Sequence, residues 1–445
     1  MQREEILQKI REAGIIGAGG AGFPTYKKLD ARVEHIIANG AECEPLLYKD
    51  RYAMLREGER LFRGLEIMRE LTGAQKVTIA IKEKNRDIAE TYAAMAHTRG
   101  IDFFIYKDVY PAGDEYILVY EITGRRIPPG GIPLQVGAVV DNVETIINIA
   151  RAVDEDLPVV DKFVTVTGEV EKAITVRVPV GTSFEDCVAL AGGLTTPRPA
   201  FVTGGVMMGK VETDARRPIS KTLGGLIVLP DDHYLIKKKT TPKETYTRIG
   251  HGQCDQCSLC TEMCPRYILG YPIEPHKVMR NLLMTGEAKE RASLWAQYCV
   301  ECNVCTMIAC PEGLDPMHIC VDAKALLREK GLSRTEEELE ILFRDVHPAR
   351  EGREVPITTV YRRLGLTRYD RKNEFKAVDF QPDRVVLALN SHIGAPAKAM
   401  VQVGDTVRRG QKIADVDAGQ LGAPVHASID GKVTEVSATT VTIER

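Results

Sequence analysis

Apolar positions in the first third of the chain alternate between a helical and an extended period. Helical spacing covers Glu4 to Ala13, Glu57 to Leu71 and Asp87 to Ala96, while short apolar runs cover Val33 to Ala38, Lys76 to Ile81 and Ile101 to Tyr106. Strands alternating with helices predict an α/β layer domain over residues 1–155. From Phe163 to Leu229 the pattern changes to β-branched runs, FVTVTGEV, ITVRVPV, AFVTGGVMMG and GGLIVLP, around one helical stretch at Ser183 to Ala191. This predicts a small β-grasp domain over 160–235. A basic, Thr-rich stretch, Ile236 to Arg248, leads into a cysteine-bearing region at 245–335, where Val278 to Leu283 and Lys289 to Gln297 have helical character. Residues 336–378 are polar, rich in Arg and Glu, and read as a linker. From 379 to 445, VGDTVRRGQKIADV and VHASIDGKVTEV are short strands punctuated by glycine, which predicts a C-terminal β sandwich.

Hydrophobic residues at 44% and charged residues at 27% are ordinary soluble usage. A formal net charge of −3 supplies no basic field, so nucleic acid is excluded as a partner class. No apolar run approaches the ~20 residues of a membrane span, and the opening MQREEILQKIREA is charged and helix-periodic, unlike a signal peptide. A cytoplasmic location is expected. That setting changes the meaning of the 11 cysteines, eight of which fall in two tight groups. In a reducing compartment such groups read as metal ligands, not disulfides.

The first group is C-x-x-C-x-x-C-x-x-x-C-P, from Cys254 through Cys257, Cys260 and Cys264 to Pro265, the run of bacterial two-cluster ferredoxins. The second, Cys299, Cys302, Cys305 and Cys310 before Pro311, has one extra residue ahead of its last cysteine. By the ferredoxin rule each motif lends its fourth thiolate to the other cluster. Cys254, Cys257, Cys260 and Cys310 are then expected to hold one [4Fe-4S] cluster, and Cys299, Cys302, Cys305 and Cys264 a second. Zinc prefers paired C-x-x-C knuckles over a triplet plus one. Cys43, Cys187 and Cys320 lie outside the motifs and are expected to be buried and inert. Such clusters pass single electrons and need no general base, so no catalytic side chain is expected.

Gly17 to Gly22, GAGGAG, formally satisfies G-x-G-x-x-G, but a charged helix precedes it where a dinucleotide fingerprint requires a strand. Alone it reads equally well as a tight connection. The wider stretches GAGGAGFPTYKKL, NGAECEPLLYKDR, YPAGDE and VVDNVET occur together in one family. They resemble the NADH-binding flavoprotein subunit of respiratory complex I, and more closely the family of the Rnf C subunit and the cobalamin reductase of propanediol-utilising microcompartments. The resemblance implies an FMN/NADH-binding α/β domain, a soluble-ligand-binding β-grasp domain, a helical two-cluster ferredoxin-like domain and a barrel-sandwich hybrid. It implies that Gly17, Gly19, Gly20, Gly22 and Lys28 cradle the FMN phosphate, with Phe23 near the nucleotide adenine. Asn39, Glu42 and Glu44 match the flavin-side strand end. Tyr110, Gly113, Asp114 and Glu115 match the segment beside the isoalloxazine and nicotinamide, and Asn142 and Thr145 match the N-N-V-E-T motif. The sequence departs from the pattern at Ala41, Cys43 and Asp141, which replace an aspartate, a serine and an asparagine.

Acidic residues there favour NADH over NADPH. The function implied is transfer from NADH to FMN, to two [4Fe-4S] clusters, and on to an acceptor, with cobalamin reduction first. The alternative is a non-catalytic relay subunit of a larger Rnf-like complex. The implied partners are a corrinoid or a redox protein, with an oligomer or complex also consistent, inside a microcompartment or peripheral to a membrane complex. The C-terminal HASIDGK hairpin lacks the lysine motif of lipoyl carriers, so that module is expected to be unmodified. TGGVMMGK, Thr203 to Lys210, reads as a structural loop, and Lys237 to Lys239 as a solvated linker or a docking patch.

Overall fold

The computed structural model describes all 445 residues. Four parallel strands form the N-terminal sheet in the order Asp102–Tyr106, Lys76–Lys82, His35–Gly40 and Ala138–Asn142. The chain winds from the central His35–Gly40 strand to one side and returns to the other. The switch point therefore lies between His35–Gly40 and Ala138–Asn142, where ligands bind beyond the carboxyl ends of such sheets. The helices Gly58–Thr72 and Val143–Glu155 cover one face with Phe62, Leu65, Ile146 and Ile149. Gly64 allows their close approach, because a Cβ there would stand 2.2 Å from the Ile146 carbonyl oxygen. The expected Asp87–Ala96 helix is divided into Arg86–Thr91 and Ala93–Arg99.

A six-stranded mixed sheet follows, ordered Glu374–Lys376, Ile174–Pro179, Asp161–Gly168, Gly225–Pro230, Pro199–Thr203 and Lys210–Glu212, with the helix Phe184–Leu190 packed on it. Its first edge strand comes from the region expected to be a linker. That region is a strap instead. Val355–Pro356 pairs antiparallel with Val109–Tyr110 of the N-terminal domain, and Ile357, Val360 and Tyr361 of the next helix are buried. The Tyr361 hydroxyl accepts the Leu46 amide at 3.0 Å. Its periodic apolar positions are too few to outweigh the surrounding Arg and Glu in a sequence reading.

The cysteine region is helical, with Lys243–Gln253, Pro275–Met279, Gly286–Ser293 and Pro316–Lys330 around the two motifs. The extra residue between Cys305 and Cys310 is taken up in a π-helical turn, Cys305–Ala309, closed by the Cys310 amide on the Cys305 carbonyl at 3.1 Å. Residues from 384 form two small facing sheets around Val385, Leu387, Ile413, Val433 and Ile443. This sandwich docks on the N-terminal domain: the Ile393 amide donates to the Gly22 carbonyl at 3.0 Å, and Lys412 pairs with Glu12 at 2.6 Å. No helix is long and apolar enough to cross a membrane.

Candidate flavin cradle and thiol sets

The glycine loop lies over the switch point. Its ends are tied down: the Gly17 amide donates to the Phe23 carbonyl at 2.9 Å, the Ala18 amide to Thr145 Oγ1 at 2.9 Å, and Lys162 Nζ to the Ala18 carbonyl at 3.1 Å. Its tip is open. Gly19, Gly20 and Ala21 are exposed, and a Cβ on Gly20 would touch nothing within 4 Å. Gly19 sits against Asn142, which caps Val143–Glu155 by accepting the Glu144 amide at 3.0 Å. An open glycine tip over a helix N-terminus fits an anionic phosphate. Phe23 is half-buried at the end of the loop.

Beneath the loop, Lys28 donates to Asp141 Oδ1 at 3.0 Å and to the Val140 carbonyl at 2.9 Å. Burial works to lower the Lys28 pKa, but the Asp141 carboxylate outweighs it and the ammonium is held charged. Burial lifts Glu115, whose charged neighbours include Lys28 and Asp141. The cradle also holds Asn39, whose side chain donates to the Gly113 carbonyl at 2.9 Å, and Glu42. Glu42 is buried, and its Oε2 has no partner within the chain. Burial first, then Asp50, pushes its carboxyl up to about 7.

A carboxyl raised on folding contributes stability that is full below its unfolded pKa, near 4.5, and is lost as pH rises through 7. Between pH 5 and 8 the protein is therefore expected to lose up to about 3 kcal/mol that a Glu42→Gln variant keeps. Urea unfolding across that range checks this, and parallel pH profiles would refute it.

Three expected cradle residues have other duties. The Glu44 carboxylate accepts the Met207 and Met208 amides, each at 2.8 Å, so it pins Thr203–Lys210 of the second domain. Lys239 donates to the Met207 and Gly209 carbonyls of the same loop, and Lys238 to the Gly313 carbonyl, so this part of the stretch read as a solvated linker or docking patch is an internal clasp. Tyr110 is buried, and its hydroxyl donates to the Cys302 carbonyl at 2.8 Å. Asp114 caps its own helix and accepts Arg266 Nε and Nη2 at 3.0 and 2.9 Å. Arg266, two residues beyond Cys264, carries no signal in the sequence. Its guanidinium lies 3.5 Å from the Tyr116 ring centroid.

The eight motif thiols gather in two sets of four. Cys260 has Cys310, Cys254 and Cys257 as its charged neighbours, whereas Cys305 has Cys299, Cys302 and Cys264 before Cys260. Cys310 thus neighbours Cys260 of the first motif, and Cys264 neighbours Cys305 of the second. Burial, then the adjacent thiols, pushes Cys260 up to about 12. A compensating cation is needed to keep that thiol ionised. Cys264, Cys299, Cys302 and Cys305 line one cavity with Arg266, Ile273 and Met317. This set adjoins the flavin domain; the other lies outward, with Cys257 exposed.

The cobalamin reductase PduS of Salmonella typhimurium is 42% identical over 448 residues, spanning 100% of this chain and 97% of that protein. The chain belongs to the PduS cobalamin reductase family. The PduS of Citrobacter freundii is 41% identical over 99% of the chain and 97% of its own length. The C component of the proton-translocating ferredoxin:NAD(+) oxidoreductase complex of Clostridium ljungdahlii is 32% identical, over 60% of this chain and 56% of that one. Family models place a Nuo51 FMN-binding domain at 10–151, an SLBB domain at 163–211, a 4Fe-4S dicluster domain at 253–315 and an RnfC barrel sandwich hybrid domain at 369–445. Among solved structures, the air-oxidised NAD+-reducing [NiFe]-hydrogenase shares the fold, with a TM-score of 0.50 at 21% identity over 83% of this chain and 66% of that one. This PduS relative is an oxidoreductase built around a flavin domain and an iron–sulfur domain.

Proposed function

We propose that the chain takes two electrons from NADH and delivers them singly, through the inner and then the outer cluster, to a corrinoid. The observation that carries this reading is the paired join between flavin cradle and inner thiol set, Tyr110 to the Cys302 carbonyl and Asp114 to Arg266. FMN, when bound, supplies the conversion between a hydride donor and a one-electron acceptor. The chain's own residues do the rest. Gly17, Gly19, Gly20 and Gly22 offer amides to the phosphate, and Lys28, tempered by Asp141, adds charge below it. Asn39, Glu42 and Glu115 present hydrogen-bonding groups to flavin and nicotinamide. Glu44, Tyr110 and Asp114 hold the neighbouring domains at fixed spacing, and exposed Cys257 leaves the outer set open to an acceptor.

An anaerobic preparation carrying iron, sulfide and FMN tests this. NADH is expected to bleach flavin and cluster bands together, NADPH to do so far more slowly, and added cob(II)alamin to restore them. Bands unmoved by NADH would refute the reading. The pairing of Lys28 with Asp141 favours one alternative, a relay protein with weakly held flavin. In that case the clusters bleach only when a flavoprotein partner is added.

A further inference from the structure

Lys162 belongs to the second domain, in the strand Asp161–Gly168, yet its side chain reaches the glycine loop of the first. It is 1% exposed, donates to the Ala18 carbonyl at 3.1 Å and pairs with Glu144 Oε2 at 2.5 Å in the first turn of Val143–Glu155. The other Glu144 oxygen accepts the Phe163 amide at 3.0 Å, so the lysine and its neighbour are both locked to that helix. From the next position, Thr145 Oγ1 accepts the Ala18 amide at 2.9 Å. Ala18 is therefore held at both backbone groups, its N–H by the first domain and its C=O by the second.

The Ala18–Gly19 peptide is trans, with its C=O and the following N–H on opposite edges of one plane. A carbonyl drawn inward to Lys162 turns the Gly19 N–H outward, to the side where Gly19, Gly20 and Ala21 are exposed. We propose that Lys162 is a positioning residue for the FMN phosphate, aiming the Gly19 amide from the neighbouring domain. The inference rests on reading this loop as the phosphate cradle. An aimed amide makes a charge-assisted hydrogen bond to a phosphate and offers nothing to a flavin that lacks one. Without the lysine the peptide plane is free to turn, since glycine at 19 and 20 imposes little restraint, and the amide loses its aim.

The test is equilibrium dialysis of FMN, and of riboflavin, which lacks the phosphate, against the full-length, cluster-loaded protein stripped of flavin. The unmodified protein is expected to prefer FMN. Lys162→Met is expected to raise the FMN Kd about tenfold, equal to ~1.4 kcal/mol, and the riboflavin Kd less than about twofold. Removing the lysine alone leaves Glu144 buried with only Lys49, 3.5 Å away, as its counter-charge. Lys162→Met/Glu144→Gln removes both charges together, still accepts the Phe163 amide, and decides the matter if the single variant fails to assemble. An undiminished preference for FMN in the folded variant, or an equal loss of both ligands, would overturn the inference. An unmodified protein that binds the two flavins alike would instead overturn the phosphate-loop reading on which it stands.

Discussion

Cys310→Ala is expected to lose half the iron and inorganic sulfide and to keep a cluster that NADH still reduces. Cys264→Ala is expected to lose the other half and to leave a cluster that NADH no longer reaches. The two cysteines end different motifs, so assignment by sequence neighbourhood predicts the reverse losses. The thiol sets decide it: Cys310 faces Cys260, whereas Cys264 stands beside Cys299 and Cys302. The inner set adjoins Tyr110 and Arg266, and its removal interrupts the route at the domain join. On the proposed route the outer set is the exit, so its removal is expected to leave the entrance intact. Iron and sulfide content, with NADH bleaching of each variant, reads both halves. Loss of the same cluster in both variants would sink the exchanged-ligand arrangement.

Arg266→Met is expected to destabilise the join between flavin and cluster domains by about 3 to 5 kcal/mol, the usual penalty for removing one partner of a buried pair. The Arg266 and Asp114 side chains are 7% and 9% exposed, so water does little to compensate the abandoned carboxylate. The double variant Asp114→Asn/Arg266→Met is expected to recover most of the loss. Asparagine still caps the helix Glu115–Thr123, where Asp114 now accepts the Tyr116 and Ile117 amides, and methionine keeps apolar contact with Tyr116 and Tyr271. The midpoint of the first urea transition measures it. A double variant as unstable as the single one would mean that Arg266 acts by packing on the rings and not by charge.

Local signals carried much of the architecture. The N-terminal strands and helices appear within a few residues of where periodicity places them, because each buries an apolar face against its neighbours in sequence. The cysteine motifs marked out the thiols that gather in the fold, since ligand spacing is itself a geometric record. The rest depends on distant partners. Arg266 after a Cys-Pro reads as a surface cation until Asp114, 152 residues away, is found beside it. Glu44 looks like a flavin neighbour because family and motif agree, yet its carboxylate is claimed by amides 163 and 164 residues further on.

The clasp of Ile393 on Gly22 and of Lys412 on Glu12 joins residues up to 400 positions apart. Synthesis proceeds from the amino end, and domains fold as they emerge. The first fold to leave the ribosome therefore waits, with its nucleotide lip unbraced, until the late-made sandwich arrives to steady it. The bracing of that lip is therefore expected to be complete only once the last residues of the chain are made.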